Sequence, residues 1–466
     1  MLKKIFSLSM AALSIVSLAS CGPKNEEIEL RIGFWPESQE KQDVAMYTQW
    51  KEAFEKDYPQ YKIVGDPYMY SPDTIGQKVI SGTLPTVFQT WFTEPQKLVE
   101  KKFIRSIHDE LSSLGWLDVM DKDMKNALTF NNKVYGIPRD GYGLGLLINL
   151  KTFWDVGLID KDENGDYIIY DDDGSPLYPT TFEEIYDASV EICDATETKG
   201  ILICSANKNG GWQLANMAWN YGSELIEESN GKVTATLNKP GVVEALSWIQ
   251  RMKQDDLLLK NTSIVYDDWY DAIESKVAMA IVGSDVIHLA GQTAKMNMDD
   301  LAFVPMPTGD GEHHYSLYGG TPYVFSKDAT DEQVEGILKF FDYIGRSPNV
   351  NEISKDAMKI GNEVARNKNQ PIVPKIRPWT NSDYVAYQDE LDEEYVSVDM
   401  RYYEEFFNTI GEYKHPEVPY YSQDMYEALD IAIQAVLNNP DTANPSALLT
   451  TANATYQKVL DKEVNK

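Results

Sequence analysis

The segment Ile28-Glu29-Leu30-Arg31-Ile32-Gly33-Phe34-Trp35, residues 28–35, decides the fold because it starts a repeated order of strand and helix. From 28 to 32 apolar residues alternate with charged ones, which is typical of a β-strand. A helix through Trp50 and Phe54 follows and ends at Tyr58-Pro59. A strand followed by a helix, repeated along a chain, favours a parallel sheet, so this part of the sequence predicts one α/β lobe.

The same order continues further along the chain. The predicted strands are 61–64, 85–88, 201–204 and 277–281, and the predicted helices are 72–81, 95–102, 182–195, 240–253, 425–437 and 445–460. The elements up to Lys102 form the first series and those after Pro138 form a second one. From Pro348 onward, aromatic-rich helical spacing dominates. The sequence therefore predicts an α/β protein with two series of elements and a helical C-terminal part.

The N-terminal leader has the order of an export signal. Lys3-Lys4 precedes an apolar stretch that ends in Leu18-Ala19-Ser20-Cys21. This ending resembles a bacterial lipobox, in which the peptidase cuts before cysteine and Cys21 carries lipid. A transmembrane anchor is the alternative, but the stretch is shorter than the ~20 apolar residues that a span requires. The leader therefore predicts a signal peptide over 1–20, a tether over 21–27, and a lipid anchor that holds the protein on the extracytoplasmic side of the cell membrane.

The composition limits the kind of partner. The chain has 466 residues, with 42 Lys and Arg against 73 Asp and Glu, which gives a formal net charge of −31. This charge repels nucleic acid and anionic lipid headgroups, so we expect no nucleic-acid partner. It also disfavours anionic solutes unless a local basic site overrides it. A neutral ligand is therefore the simpler expectation.

The two cysteines after the leader leave two alternatives open. Cys193 and Cys204 either form a disulfide, as an exported protein permits, or remain as thiols that pack like small apolar residues. The five histidines include His313-His314 and are otherwise scattered, so no set with tetrahedral spacing is visible. We therefore predict no metal and no other cofactor.

Residues 160–171 also permit two interpretations. Oxygen-bearing side chains stand at alternate positions with Gly165 at the sixth, as in a calcium loop, but Asp171 stands where such a loop has glutamate. The alternative is a hairpin with turns at Asn164-Gly165 and Asp173-Gly174, because the residues between the turns have a strand pattern. The strand pattern favours the hairpin.

Short motifs from Phe34 to Gly320 follow one another in an order and spacing that chance does not explain. They are Phe34-Trp35-Pro36, Asp73-Thr74, residues 81–88, residues 132–138, Leu147-Ile148-Asn149-Leu150, residues 179–184, Glu244-Ala245-Leu246, residues 276–283, Val304-Pro305-Met306-Pro307 and Gly319-Gly320. Together they resemble the family 1 extracellular solute-binding proteins, the lipoproteins that deliver sugars to ABC importers. Two positions depart from the pattern: Ser275 stands where the family usually has glycine, and Asp285 stands near a position often held by a sugar-stacking tryptophan.

The resemblance implies a two-lobed periplasmic-binding-protein-like fold of type II, with hinge-linked lobes that close on a ligand in the cleft. It assigns residues 28–137 and 322–347 to an N-lobe, and residues 138–321 and 348–466 to a C-lobe. It also implies a monomeric, non-catalytic receptor that captures a mono- or oligosaccharide and delivers it to the permease subunits of an ABC transporter.

A sugar site requires flat aromatic side chains for stacking and short polar side chains that fix the hydroxyl groups. The aromatic candidates at predicted strand ends and loops are Trp35, Trp91, Tyr142, Trp212, Trp269, Tyr318 and Trp379, and the polar candidates are Glu37, Gln89, Thr90, Arg139, Asp140, Asn209 and Asp285. Core packing or solvent exposure is the alternative for each of them. Gly319-Gly320 either lets the backbone approach the ligand or absorbs hinge torsion. Trp50 and Trp248 stand at helical spacing and are assigned to the core.

Two other functions remain open from the residues alone. A secreted glycosidase needs two carboxylates about 5 to 10 Å apart across the scissile bond, one of them with a raised pKa, and no paired motif marks such a site. A receptor for a peptide, a polyamine or another small solute suits the acidic composition, although the scattered histidines argue against a metal ligand.

Overall fold

The computed structural model describes residues 27–466. The predicted signal peptide and the lipid attachment at Cys21 lie outside the described residues. The strands are β1 Ile28–Ile32, β2 Tyr61–Gly65, β3 Val87–Gln89, β4 Ile104–Arg105, β5 Thr129–Phe130, β6 Lys133–Val134, β7 Gly136–Asn149, β8 Lys199–Leu202, β9 Ile226–Ser229, β10 Lys232–Ala235, β11 Val277–Gly283, β12 Leu301–Val304, β13 Ser316–Ser326 and β14 Lys414–Pro416.

The helices cover the faces of the sheet. They are α1 Lys41–Asp57, α2 Ile75–Ile80, α3 Pro95–Glu100, α4 His108–Ser113, α5 Trp116–Val119, α6 Lys122–Ala127, α7 Leu150–Asp155, α8 Phe182–Ala195, α9 Asn209–Asn220, α10 Pro240–Gln254, α11 Trp269–Ala272, α12 His288–Gln292, α13 Asp331–Tyr343, α14 Glu352–Asn367, α15 Ser382–Tyr395, α16 Glu404–Tyr413, α17 Ser422–Asn438 and α18 Pro445–Glu463. Within residues 27–466 none of them is both long and apolar enough to cross a membrane.

The first lobe is the α/β unit that the opening segment predicts. β1 pairs in parallel with β2 along its whole length and with β3 at Ile32. Leu30 and Ile32 are fully buried, whereas Arg31 points away from the core and forms an ion pair with Asp66 at 2.5 Å. The alternation of apolar and charged residues in the sequence thus corresponds to the two faces of a central strand.

Two long strands join the first lobe to the second. β7 has 14 residues and pairs antiparallel with β13 from Gly136 to Gly143, then with β11 and β12 from Leu144 to Asn149. The register of the β7–β13 pair shifts between Thr321 and Pro322, where Pro322 faces Pro138. Neither proline has an N–H group to donate, so the ladder is interrupted there. The interruption lies where the sequence places two crossings between lobes.

The second lobe holds the larger apolar core, which forms around the second half of β7. Phe182 lies at the start of α8 and stacks on Tyr221 with ring centroids 5.2 Å apart. Trp248 of α10 packs on Phe182 and donates its indole N–H to the Phe182 carbonyl oxygen at 2.9 Å. Trp248 in this core and Trp50 in the core of the first lobe are both buried, as their helical spacing predicts.

The helical C-terminal part is divided between the two lobes. α14 contacts α1 and α13 of the first lobe, and Trp379 lies in the first core against Trp116 at 5.6 Å. In contrast, α17 packs on α9 and α10 of the second lobe. The division drawn from the sequence assigned all of 348–466 to the C-lobe. It differs from the structure because helical spacing shows that a face is buried but not against which sheet.

The cysteines follow the thiol alternative. Cys193 and Cys204 are both free, so the disulfide alternative is wrong. The Cys193 thiol donates to the Thr198 carbonyl oxygen at 3.4 Å, and Cys204 is fully buried in the second core. Burial raises the pKa of both thiols, which keeps them protonated and packed as small apolar groups.

Residues 160–171 form successive turns, as the hairpin interpretation predicts. Antiparallel bridges join Lys161 to Tyr167 and Tyr170 to Pro176. One carboxylate oxygen of Asp162 accepts the backbone N–H groups of Asn164 and Asp166, both at 2.9 Å. The alternate acidic residues therefore serve as turn residues, and within residues 27–466 no group of three or more His, Cys, Asp or Glu is placed to hold a metal ion.

Candidate functional site

A cleft beside β7 and β13 contains two adjoining cavities among the described residues. The first, which we call the aromatic chamber, has a volume of about 570 Å³. It is lined by Tyr70, Ser71, Pro72, Asp73, Trp91, Thr93, Tyr142, Asn207, Lys208, Asn209, Trp212, Val265, Tyr266, Asp267, Asp285, Val286, Thr321, Glu417, Gln423 and Tyr426. The second, the charged chamber, has a volume of about 420 Å³ and includes Arg139, Asp140, Arg346 and Lys375. Asp285 lines both chambers, so the two lie side by side.

The aromatic chamber lies at the carboxyl ends of strands from both lobes. Residues 70–73 follow β2 and Trp91 follows β3, while residues 207–212 follow β8 and Asp285 follows β11. β8 and β11 are parallel, as β2 and β1 are. Since carboxyl ends of parallel strands meet at one edge of a sheet, each lobe presents its loops to the same space.

Tryptophans of the two lobes form the walls of the aromatic chamber. Trp91 is 43% exposed and packs edge-on against Tyr70, with ring centroids 5.4 Å apart. From the second lobe Trp212, which is 8% exposed and also belongs to the second core, packs against Tyr142 at 6.1 Å and against Tyr266 at 5.1 Å. The rings of these pairs are inclined by 68° to 85°, so neither indole is covered by a parallel stack with these tyrosines.

Gly319 permits the position of the Tyr142 ring. A Cβ atom at residue 319 would lie 2.4 Å from the Tyr142 hydroxyl oxygen and 2.9 Å from the Glu417 carboxylate. Its φ is not in the left-handed region, so the requirement for glycine arises from close approach. At Gly320 a Cβ atom would meet the Asp140 carbonyl oxygen at 2.5 Å and the Phe92 ring at 2.6 Å. Both glycines therefore make room for neighbouring groups of the cleft.

Two carboxyl groups in the aromatic chamber have raised pKa values. Burial raises the pKa of Glu417 to about 7, although its Oε1 accepts the Tyr426 hydroxyl at 2.9 Å, a bond that favours the ionised form. Burial and the nearby Asp140 raise the pKa of Asp285 to about 7, against the opposing effect of Arg139. Near neutral pH both side chains are therefore divided between donor and acceptor forms.

Neutral polar groups complete the aromatic chamber. Asn209 accepts the backbone N–H of Tyr266 at 2.9 Å, and the Tyr266 hydroxyl oxygen accepts the N–H of Gly283 at 2.7 Å. The Gln423 amide donates to the Thr93 hydroxyl at 3.4 Å and joins the two lobes at this point. Amides and hydroxyls held in this way offer their remaining donors and acceptors in fixed directions.

The structure brings five of the predicted site residues into the cleft. Trp91, Tyr142, Trp212 and Asp285 line the aromatic chamber, and Asp140 joins Asp285 in the charged chamber. Asn209 and Arg139, named as polar candidates in the sequence, also line the cleft.

Other aromatic candidates pack in the protein interior. Trp35 lies on Gly65 and edge-on to Tyr47, with ring centroids 5.3 Å apart. Tyr318 is buried in the first core together with Trp379, and Trp269 is buried in the second core. None of these four candidates lines either chamber. Position at a strand end does not separate a core aromatic residue from a cleft residue, because both follow apolar strand residues.

The remaining polar candidates, Glu37, Gln89 and Thr90, do not line either chamber. Gln89 is the last residue of β3 and pairs with Tyr323, and the Thr90 N–H donates to the Pro322 carbonyl oxygen at 3.1 Å. Glu37 is exposed, and its N–H donates to the Glu40 carboxylate at 2.9 Å.

Most of the residues that line the aromatic chamber were not among the candidates from the sequence, including Tyr70, Tyr266, Glu417 and Tyr426. Tyr70 follows a predicted strand, so the rule that selected Trp91 applies to it as well. The other three come from segments without a strand pattern, and Glu417 follows the short strand β14, which joins the sheet beside β13. Only the folded chain brings them to the cleft.

Comparisons with known proteins give a family and a fold. A family model described as bacterial extracellular solute-binding protein matches residues 49–362. The chain is similar to the solved structure of the GacH receptor of Streptomyces glaucescens, determined unliganded and with acarbose, at 16% identity and a TM-score of 0.69, covering 93% of this chain and 98% of that one. No curated protein matches the chain in sequence.

Two further structures resemble this chain over the same extent. One is Lmo0181 from Listeria monocytogenes in complex with cycloalternan, at 15% identity and a TM-score of 0.65, covering 93% of this chain and 98% of that one. The other is maltose-bound MalE3 of T. maritima, at 14% identity and a TM-score of 0.66, covering 93% and 99%. At such identities the similarity establishes the fold, which is the two-lobed type that the sequence motifs imply.

The raised carboxyl pKa values predict a pH-dependent stability. Between about pH 4 and 7 the folded protein holds protons on Asp285 and Glu417 that the unfolded chain has released, so the stability these groups contribute falls as pH rises through this window. The neutral variants Asp285→Asn and Glu417→Gln should each raise the free energy of unfolding at pH 8 by about 1 to 2 kcal/mol, with little change at pH 4.

Thermal and denaturant unfolding across this pH range measures the effect. Glu412→Gln, at an exposed carboxylate, is the matched control and should follow the wild type at both pH values. If Asp285→Asn and Glu417→Gln show the same difference from wild type at pH 4 and pH 8, the two carboxyl groups do not titrate as the cleft geometry predicts.

Proposed function

Because this chain belongs to the bacterial extracellular solute-binding protein family, we propose that it captures a carbohydrate in the aromatic chamber and delivers it to the permease of an ABC transporter. The observation that carries the proposal is the placement of Trp91 and Trp212, one from each lobe, in a single cavity.

The chemistry of the aromatic chamber suits a sugar ring. A pyranose has apolar C–H faces surrounded by hydroxyl groups, and tryptophan faces together with fixed amide and carboxyl groups match both features. A volume of about 570 Å³ is within the ordinary range of small-ligand sites and accommodates more than one sugar unit. The solved structures named above contain acarbose, cycloalternan and maltose, which supports the same class of ligand here.

Hydrolysis of the sugar is less well supported than binding. A glycosidase needs one carboxyl group that stays protonated and one that stays ionised, so their environments must push the two pKa values apart. In the aromatic chamber the pKa values of Asp285 and Glu417 are both raised to about 7. The pair therefore lacks this asymmetry, and we propose a receptor without catalytic activity.

The decisive experiment is calorimetric titration with a panel of mono- and oligosaccharides. With the sugar that binds, Trp91→Ala and Trp212→Ala should each weaken binding by about 1 to 3 kcal/mol, because each removes one flat stacking surface. Trp154→Ala is the matched control, since Trp154 is also 43% exposed but lies outside both chambers. Chromatography of the same mixtures should recover the sugar intact.

A core tryptophan should give the opposite result. Trp248→Ala removes a buried side chain and its hydrogen bond, so it should lower the free energy of unfolding by about 3 to 5 kcal/mol while the remaining folded protein keeps its affinity. The assignment of the site fails if Trp91→Ala and Trp212→Ala lose stability like Trp248→Ala and retain full affinity.

We expect the two lobes to close on the ligand. Besides β7 and β13, they touch at the edge of the aromatic chamber through Gln423 and Thr93 at 3.4 Å and through Tyr421 and Glu100 at 3.1 Å. Single polar contacts of this kind contribute little to stability and separate easily. A saturating sugar should therefore reduce the radius of gyration in solution scattering.

The matched control is solution scattering of Trp212→Ala at a sugar concentration that saturates only the wild type. Its radius of gyration should stay that of the protein without sugar. An unchanged scattering profile of the wild type, despite binding confirmed by calorimetry, rules out closure.

We further propose that the mature chain begins at a lipid-modified Cys21, which attaches the receptor to the outer face of the cell membrane. The order Leu18-Ala19-Ser20-Cys21 supports this, and an extracytoplasmic receptor needs to stay near its permease. Cys21→Ala should move the protein from the membrane fraction to the soluble fraction. Ser20→Ala keeps the small residue before the cysteine and should leave the protein in the membrane fraction. A membrane-bound Cys21→Ala protein contradicts lipidation.

A further inference from the structure

The charged chamber contains two basic side chains without a protein partner. Arg346 follows α13 and Lys375 lies in the segment between α14 and α15, and both line the chamber. Among residues 27–466, neither the Arg346 guanidinium nor the Lys375 ammonium group takes part in an ion pair or donates a side-chain hydrogen bond. Lys375 retains solvent exposure although the protein surrounds it, as expected for a side chain that extends into a cavity.

The other charged groups around the charged chamber are already paired. Arg139 binds Asp140 at 2.7 Å, and Arg377 binds Asp392 at 2.7 Å. Lys368 forms an ion pair with Asp43.

After these pairs are counted, Arg346 and Lys375 remain as cations, and Asp285 remains as the one carboxyl group of the chamber without an ion-pair partner among the described residues. Burial and the nearby Asp140 raise the pKa of Asp285 to about 7, so at neutral pH it cancels at most part of one positive charge. Among the residues that line the charged chamber, five basic side chains therefore stand beside four carboxyl groups, which gives a small excess of positive charge.

Neighbouring groups respond to this positive field. Burial, followed by the charge of Lys375, lowers the pKa of His288 to about 4, so its imidazole is neutral at pH 7. Burial, followed by the charge of Arg346, lowers the pKa of Lys375. The positive charges of Arg346 and Lys375 repel each other, and an anion bound beside them relieves this repulsion.

The charged chamber lies beside the aromatic chamber, since Asp285 lines both. We propose, on the basis of the carbohydrate-binding function above, that the ligand is an acidic saccharide whose carboxylate or sulfate group binds Arg346 and Lys375 while a sugar ring stacks in the aromatic chamber. A guanidinium group suits such an oxyanion because it donates two parallel hydrogen bonds, and an ammonium group adds a point charge.

This proposal revises the expectation of a neutral ligand. The net charge of −31 disfavours anions over the surface as a whole. Interactions between exposed charges are screened over about 8 Å in physiological salt, whereas a charge inside a cleft acts at short range and is screened less. Two unpaired cations in the cleft therefore provide the local basic site that overrides the charge of the chain.

The test compares sugars that differ only in charge. The probes are glucose, galactose and their disaccharides, each beside its uronic acid and its 6-sulfate, with citrate and inorganic sulfate as anions without a sugar. Thermal shift identifies binders and calorimetry measures their affinities for the wild type, Arg346→Gln and Lys375→Gln. Arg251→Gln and Lys458→Gln are the matched controls outside both chambers.

We expect the acidic member of a pair to bind more tightly than its neutral counterpart, and more weakly as salt is added. Arg346→Gln and Lys375→Gln should each lower the affinity for the acidic sugar by about 10- to 100-fold and leave that for the neutral sugar within about 2-fold. The controls should leave both affinities unchanged. The comparison of uronic acid with 6-sulfate identifies which oxyanion the cations recognise. Because neither side chain has a protein partner, both variants should fold, which their melting temperatures verify.

The remaining outcomes separate this inference from the proposed function. If neutral sugars bind and acidic sugars do not, or if Arg346→Gln and Lys375→Gln weaken both kinds alike, the anion site is overturned and the carbohydrate receptor stands. If citrate or sulfate binds through Arg346 and no sugar binds, the anion site stands and the carbohydrate receptor falls. If no probe binds, both are overturned.

Discussion

The antiparallel pairing of β7 with β13 is the constraint on which the rest of the structure depends. β7 pairs with β13 in its first half and with β11 and β12 in its second, so one strand belongs to the sheets of both lobes. Backbone hydrogen bonds fix the separation of neighbouring strands at about 5 Å, and the two lobes cannot drift apart at this point. The facing pair Pro138 and Pro322 leaves a local interruption in the ladder. A hinge that is continuous in covalent structure but weak in hydrogen bonding is well suited to bending without unfolding.

This shared strand pair also determines where the aromatic chamber lies. Tyr142 of β7 and Thr321 of β13 line the aromatic chamber, so the crossing strands form its floor. The strands of each lobe present their carboxyl ends beside that floor, which brings Trp91 and Trp212 to opposite sides of one space. Gly319 is required for the same reason, since any side chain there would displace Tyr142. The connection between the lobes and the shape of the aromatic chamber are therefore consequences of one pairing.

Charge in this protein must be considered at two length scales. Over the whole chain acidic residues exceed basic ones by 31, which governs long-range encounters with other macromolecules. In the charged chamber the balance is different, because five basic side chains line it with four carboxyl groups, and Arg346 and Lys375 form no ion pair among the described residues. Affinity for a bound solute depends on the local balance, since only groups within a few ångströms of the ligand lose their water and gain a partner.

The sequence by itself determined the order of strands and helices, the first parallel α/β unit and the resemblance to solute-binding proteins. It also identified five cleft residues, which are Trp91, Tyr142, Trp212, Asp140 and Asp285. It could do so because strand periodicity and position at a strand end are local properties of the chain. Tertiary structure decided the rest. Trp35 and Trp379 occupy the same kind of sequence position as Trp91 but are packed on the first core, and α14 covers a lobe that its spacing does not specify. Glu417, Arg346 and Lys375 reach the cleft from segments far apart in the chain. Whether a charged side chain forms an ion pair depends on its neighbours in space, and only folding brings those within hydrogen-bond distance.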